Sequence, residues 1–275
     1  MVIPAHNEAA SIGRTLRALR AGLAVDDLEV VVVCNGCTDA TADEARRADP
    51  EATVVEIAQP SKNEAVRVGN AATDVFPRVH LDADIELPGR AVLALVAPIV
   101  EGRAHATAPV RRVPREGCSR WVRWYYDVWE ALPHVESGLF GRGVVVLSRE
   151  GQTRVAALTQ MLNDDLGMSD AFAADERMVV SGAVAVVRPP RTVEDLVRRR
   201  IRVTTGNVQA ARLGVRRPAS RTRWGTLLGL ALTRPSLALR LPVFVGVYLV
   251  ASVGARRAVR AGDFQTWQRD ESSRT

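Results

Sequence analysis

The sequence predicts an α/β fold: a mostly parallel sheet flanked by helices, with a helical appendage at the C-terminal end. Three observations carry that prediction. Apolar segments of strand and helix character alternate through the first hundred residues. The second of them, Leu28 to Cys34, is a continuous valine-rich run, as expected of a strand buried on both faces. Four polar clusters each follow directly on a predicted strand, and a parallel sheet would gather them along one edge.

The first strand begins at Val2-Ile3. Ile12, Leu16, Leu19 and Leu23 are spaced 4, 3 and 4 apart and form one face of a helix. After the Leu28–Cys34 strand come a short helix from Thr41 to Ala48, a strand Thr53–Ile57 and a helix from about Lys62 to Ala72. A strand Arg78–Leu81 and a helix Pro88–Val100 follow, with the proline where a first helical turn tolerates it. This βαβαβ rhythm implies right-handed crossovers. Beyond Ala104–Val110 the pattern is less regular. A helix from Trp121 to Leu132 carries Trp121, Trp124, Tyr125, Val128 and Leu132 on roughly one side. Gly143–Ser148 reads as a strand, Thr153–Leu162 as a helix and Met178–Val187 as a strand. Thr192 opens an arginine-rich helix with Asp195 in capping-box position.

A chain of 275 residues can bury one substantial core, or one domain with a short appendage. Apolar and charged fractions of 47% and 25% are those of a globular protein. The net charge of +6 favours an anionic partner, whether a phosphate-bearing substrate, nucleic acid or a membrane surface. Eleven arginines stand between Arg188 and Arg223, against only Glu194 and Asp195, and Lys62 is the one lysine in the chain. Cys34, Cys37 and Cys118 form no disulfide framework, which fits a reducing compartment. The strand at Val2 leaves no room for a signal peptide. Leu241 to Ala255 is an uncharged run of 15 residues, shorter than the ~20 of a membrane span, so an interfacial segment is expected.

The four clusters are Pro4-Ala5-His6-Asn7-Glu8, Asn35-Gly36-Cys37-Thr38-Asp39-Ala40-Thr41, Gln59-Pro60-Ser61-Lys62-Asn63 and Asp82-Ala83-Asp84. An Asp-x-Asp pair alone says little, since 16 aspartates give about one by chance. At the carboxyl edge of a sheet two such carboxylates repel unless a cation sits between them. A hard divalent ion shared with diphosphate oxygens meets that requirement. In the second cluster Asn-Gly supplies a tight turn, and Asp39 and Thr41 can cap the next helix; Asp39 could equally contact a nucleotide base. Lys62 opens a helix at the same edge, as a surface lysine or as a diphosphate contact.

Together these residues resemble the family-two glycosyltransferases across roughly Val2 to Asn207. Pro4 to Glu8 is similar to that family's opening strand motif, and Cys34 to Thr41 to its Asn-Gly-Ser-Thr-Asp-x-Thr turn, with Cys37 in place of serine. Asp82-Ala83-Asp84 is similar to its Asp-x-Asp metal motif. The resemblance implies a GT-A fold and an inverting enzyme that uses a nucleotide-sugar donor and Mg2+ or Mn2+. It places Pro4, Ala5, Asn7, Glu8, Asn35, Asp39, Lys62, Asp82 and Ala83 at the donor, and the metal at Asp84 with Asp82. Asp164-Asp165 is similar to the pair that supplies the catalytic base, pointing to Asp165 with Asp164 beside it. Arg199 to Val203 resembles an Arg-x-x-Arg-Trp motif but lacks the tryptophan, which favours single addition; Arg199 or Arg202 would help at the leaving diphosphate. Gly138 to Arg149 resembles the acceptor-side glycine loop.

The implied organisation is a catalytic domain over residues 1–190, with a donor half 1–110 and an acceptor half 111–190, followed by a basic, hydrophobic helical region 191–275. A glycan or lipid-linked acceptor, a cytoplasmic location and peripheral attachment to anionic membrane are expected, and no nucleic-acid partner. Three other readings stay open, one of them a non-catalytic binding module on a membrane surface. Cys34-Asn35-Gly36-Cys37 is the C-x-x-C of a redox protein. A nucleotidyltransferase can share such a sheet and acidic pair, although the first cluster lacks its Gly-rich phosphate loop.

Overall fold

The computed structural model describes residues 1–24, 27–159, 165–212, 222 and 224–260. They form two compact units, Met1–Val113 with Gly141–Val187, and Pro114–Phe140 with the described residues from Arg188 onward. The helices in chain order are α1 (Ile12–Arg20), α2 (Thr41–Ala48), α3 (Lys62–Ala71), α4 (Gly89–Val100), α5 (Arg120–Glu130), α6 (Pro133–Ser137), α7 (Arg149–Thr159), α8 (Asp165–Asp170), α9 (Val193–Arg212), α10 (Trp224–Thr233), α11 (Pro235–Ala238) and α12 (Leu241–Arg260).

The first unit holds a seven-stranded sheet. Its strands are β1 (Val2–Ala5), β2 (Val31–Asn35), β3 (Thr53–Ile57), β4 (Arg78–Leu81), β5 (Ala106–Arg112), β6 (Val144–Leu147) and β7 (Arg177–Val186), in the order β3-β2-β1-β4-β6-β5-β7. β1 to β4 are mutually parallel, and so are β5 and β7, whereas β6 runs antiparallel to both neighbours. The parallel first half is the one read from the alternating pattern. The reversal at β6 is not, because a buried strand shows the same apolar run in either direction.

β2 reads Val-Val-Val-Cys-Asn and buries all five residues. α1 covers one face of the sheet with Ile12, Leu16 and Leu19, beside Ile3, Val32, Leu81 and Leu95 in the main core. Burial of each such side chain contributes roughly 1.5–3 kcal/mol. α1 stops at Arg20, short of Leu23, because the chain turns at Gly22 with φ of 84°. α3 covers the other face, where Ala65 packs with Val31 and Val33. It sits close because Gly69 lies over β1: a Cβ there would come within 2.4 Å of Val2 Cγ1. Pro88 stands one residue before α4, as its N-cap, and Gly89 begins the helix against the carbonyl of Leu19.

From β1 the chain steps outward to β2 and β3, then crosses to the other side of β1 for β4. The reversal between β1 and β4 is the switch point at which a crevice opens beyond the carboxyl ends of the strands. β1 and β4 pair at Val2 and His80.

The second unit packs α5, α9 and α12 together. Tyr125 stacks on Phe244 with ring centroids 5.2 Å apart, Arg240 pairs with Asp127 at 2.7 Å, and Gly254 of α12 lies against Ile201 of α9. The expected capping box opens α9, with Thr192 Oγ1 accepting from the Asp195 N–H (3.2 Å) and donating to Asp195 Oδ2 (2.8 Å). One expectation is corrected. The buried face of α5 is Val122, Tyr125, Tyr126 and Val128, while Trp121 is exposed. The uncharged run after Arg240 lies within a longer helix. α12 continues to Arg260, a total of 20 residues, and by length and composition alone it could cross a membrane.

His80 in β4 is buried, with Nε2 2.7 Å from Gln152 Oε1 and Nδ1 without a hydrogen-bond partner among the described residues. Burial above all pushes its pKa down from 6.5 to about 4. The folded state thus keeps His80 neutral where the unfolded chain would protonate it. Its contribution is complete above pH 6.5 and is lost as the pH falls towards 4, roughly 3 kcal/mol over that window. Urea denaturation across that range should show the fall, and a His80→Leu variant should show a shallower one.

Candidate active site

Four loops leave the carboxyl ends of β1 to β4, and each is tied to the next. After β1, Asn7 adopts φ of 52° and its Oδ1 accepts from the Thr38 N–H at 2.7 Å. Asn35 Nδ2 donates to the Ala5 carbonyl (2.8 Å), and His6 Nδ1 donates to the Asn35 carbonyl (2.6 Å). The Glu8 N–H donates to Thr41 Oγ1 at 2.7 Å. Asp39 is exposed, yet its carboxylate is fixed: Oδ2 accepts from the Ala9 N–H (3.2 Å), and Oδ1 from the N–H (3.1 Å) and hydroxyl of Thr41. Ala40, not Asp39, is the N-cap of α2, but Asp39 takes the N–H of the first helical residue, and the same carboxylate also joins the first loop to the second.

The second and third loops meet at Gly36, whose N–H donates to the Ile57 carbonyl at 2.7 Å. With φ of 57° and Pro60 N 2.7 Å from where a Cβ would stand, this position admits only glycine. Ser61 then caps α3 by accepting from the Glu64 N–H, which sets Lys62 as the first helical residue. Lys62 Nζ donates to Asp82 Oδ1 at 2.7 Å, with both side chains about one-third exposed.

The turn after β4 is held from three sides. The Asp82 N–H donates to the Gly143 carbonyl (2.8 Å), the Ile85 N–H to the Asp82 carbonyl (3.2 Å), and Thr15 Oγ1 to the Ala83 carbonyl (2.9 Å). Gly143 has φ of 65° and sits against Ile85 and the Asp82 carboxylate. Asp84 is half-buried on the same turn.

Pro4, Ala5, Asn7, Glu8, Asn35, Asp39, Lys62, Asp82, Ala83 and Asp84 thus stand along one edge of the sheet. They divide by work. Glu8 and Asn35 are buried and bind the loops together, Ala5 and Ala83 offer carbonyls that are already engaged, and Pro4 falls past the Val2–His80 pairing where its missing N–H matters least. Asp39, Lys62, Asp82 and Asp84 present charge to the crevice edge. Among the described residues no three His, Cys, Asp or Glu side chains stand together to hold a metal ion. The turn therefore offers hard oxygen ligands from two residues, which suits a divalent ion that completes its shell with phosphate and water.

Asp164 lies outside the described residues, as does the side chain of Asp165, the first residue of α8. Arg199 and Arg202 lie on α9 in the second unit, where Arg199 Nη1 donates to the Arg188 carbonyl at 3.3 Å. Sequence reasoning missed Thr15 and Gly143 as parts of this edge, and it gave His6, inside the first cluster, no role of its own. Only Gly143 carried a signal, the paired glycines Gly141 and Gly143 just before a strand. The C-x-x-C is not poised for redox work. Cys34 is buried and its thiol is pushed up to about 12, by burial first and then by Cys37, the reverse of an activated thiolate. Cys37 Sγ accepts from the Asn7 N–H (3.3 Å) and donates to the Ala5 carbonyl (3.5 Å), so it serves as a further tie between the first two loops.

A sheet with this strand order and an acidic turn at its switch point defines the GT-A class of glycosyltransferase folds. The model of glycosyl transferase family 2 matches residues 1–144, over half of the chain. The chain belongs to that family. Among solved structures, a mannosyltransferase from Pyrobaculum calidifontis in complex with GDP-Man and Mn2+ is 21% identical, with a TM-score of 0.61 over 97% of this chain and 81% of that one. Glucosyl-3-phosphoglycerate synthase from Mycobacterium tuberculosis, in complex with Mn2+, UDP-glucose and phosphoglyceric acid, is 21% identical, with a TM-score of 0.57 over 79% of this chain and 80% of that one. At these identities the likeness is one of fold. No curated protein matches the chain.

Asn35→Ala should leave the buried Ala5 carbonyl short of a donor and cost about 1–3 kcal/mol of stability. Chemical denaturation of the variant against the wild type measures it.

Proposed function

We propose that the protein transfers a sugar from a nucleoside diphosphate donor to an acceptor hydroxyl, with inversion at the anomeric carbon and with Mg2+ or Mn2+. The observation that carries this reading is the row of ties that links the four loops from Asp39 through Lys62 to Asp82, on the turn that also bears Asp84. It supports a donor lying across that edge. Asp39, immobilised by three donors, accepts from the nucleobase without reorganising. Lys62 and the N-terminus of α3 face the diphosphate. Asp84, with Asp82, would hold the divalent ion, which when bound offsets the charge developing on the leaving diphosphate. Asp165 takes the acceptor proton as the hydroxyl attacks from the face opposite the diphosphate, which gives inversion. The parts given to Asp165, with Asp164 as its alternative, and to Arg199 and Arg202 rest on the family resemblance. The relatives' complexes with Mn2+ and UDP-glucose or GDP-Man support the donor class and the metal.

The reading extends to cell-envelope glycan or glycolipid synthesis at the cytoplasmic face of the membrane. Trp224, Leu228 and Leu232 recur every fourth residue on α10 and are all exposed. On α12 the exposed residues Leu249 and Val253 lead to the exposed Arg256, Arg257 and Arg260. An apolar stripe ending in arginines suits the interface of an anionic bilayer.

In purified enzyme supplied with its donor, Asp84→Asn should lose its response to Mn2+ and at least about a hundredfold in kcat, and Asp165→Asn should lose kcat with little change in donor affinity. Full turnover in the Asp165 variant would remove that residue from the base role. Flotation with phosphatidylglycerol vesicles should capture the wild type and release Leu228→Glu/Leu232→Glu; wild type that stays unbound would count against the membrane reading.

A further inference from the structure

We propose that Lys62 is the resident cation of the Asp-x-Asp turn. Its ammonium occupies Asp82 until a nucleoside diphosphate draws it away, so that the divalent ion is admitted together with the donor and not ahead of it. The proposal rests on the reading of this edge as a metal–diphosphate site.

The contact itself is direct, Nζ to Oδ1 at 2.7 Å. A positive charge in contact with one carboxylate of a two-carboxylate turn opposes entry of a second, doubly charged cation at the same turn. The backbone that carries the carboxylate is held in place. Asp82 is anchored through its N–H to Gly143 and through its carbonyl to Ile85, and the next residue is pinned by Thr15. The lysine can move. Its backbone is fixed as the first residue of α3, but its four-carbon stem is flexible and its ammonium is partly exposed, so it can exchange a carboxylate for a phosphate.

The choice of residue agrees with this. Of 37 basic side chains in the chain, Lys62 is the one lysine. A guanidinium would grip Asp82 through a rigid two-pronged pair, whereas an ammonium is a compact point charge that exchanges partners readily. A diphosphate at the N-terminus of α3 would meet Lys62 within its own first turn. Transfer of the ammonium to phosphate then frees Asp82 at the same moment that the phosphate brings oxygen ligands for the ion. Metal and donor binding are thereby coupled, each strengthening the other.

The test is titration of Mn2+ alone, followed by the electron paramagnetic resonance of the free ion, into wild type, Lys62→Met and Lys62→Arg. The same titration is repeated with saturating UDP and with GDP. Lys62→Met should bind Mn2+ alone about tenfold more tightly than the wild type, a gain that Lys62→Met/Asp82→Asn abolishes, and nucleotide should enhance its Mn2+ affinity correspondingly less. Lys62→Arg, which keeps a positive charge on Asp82, should stay as weak as the wild type. If Lys62→Met does not fold, Lys62→Gln takes its place. Wild type that binds Mn2+ with nucleotide, beside a Lys62→Met that binds Mn2+ alone no more tightly, would make Lys62 a fixed tie and overturn the proposal. Wild type that binds no Mn2+ even with UDP or GDP would instead overturn the metal–diphosphate reading, and this inference with it.

Discussion

Like charges can be kept close at the edge of this sheet because the strands beneath them are rigid. β1 and β4 are bound side by side in a dry core of Ile3, Val32, Leu81 and Leu95, and the loops that leave them inherit that spacing. The turn that bears Asp82 and Asp84 is therefore held by the fold itself. The cost of assembling them is met by apolar burial far from the crevice. An acidic pair on a mobile loop would separate by mutual repulsion; here the Gly143 carbonyl, the Ile85 N–H and the Thr15 hydroxyl hold the backbone of the turn in place.

The same rigidity explains the division of labour among the polar residues. Residues that look like ligand contacts in the sequence join one loop to the next, Asn7 and Asn35 through their side chains and Glu8 through its backbone N–H. Few groups are left to face a ligand, but these are held firmly. Asp39 is the clearest case, exposed to solvent yet fixed by Ala9 and Thr41. A carboxylate immobilised before binding loses little conformational entropy when its partner arrives.

Much of this was legible in the sequence, for identifiable reasons. Valine runs and helical spacing located β1 to β4 and α1 to α4, and the rule that loops at strand ends share an edge gathered the four clusters before any coordinate. What periodicity does not encode was not legible. The antiparallel course of β6 leaves no mark on Val144–Leu147, which would be apolar in either direction. The buried side of α5 differs from the aromatic stripe, because Val122 and Tyr126 compete for the core with Trp121 and succeed. The Lys62–Asp82 pair joins residues twenty positions apart, and no local pattern announces it. Membership of a family set glycosyl transfer above nucleotidyl transfer and redox chemistry, a choice that residue types alone left open.

Gly69 shows how far from the crevice its dimensions are set. The helix that carries Lys62 at one end rests on Val2 through the bare α-carbon of Gly69, about 10 Å along the same rod. Even a methyl group there would lift the rod and swing its tip, carrying the ammonium off its seat without touching any residue of the edge. A hydrogen atom in place of a side chain is thus a calibration of the charge distance, and drift at this one hidden position would detune the whole edge.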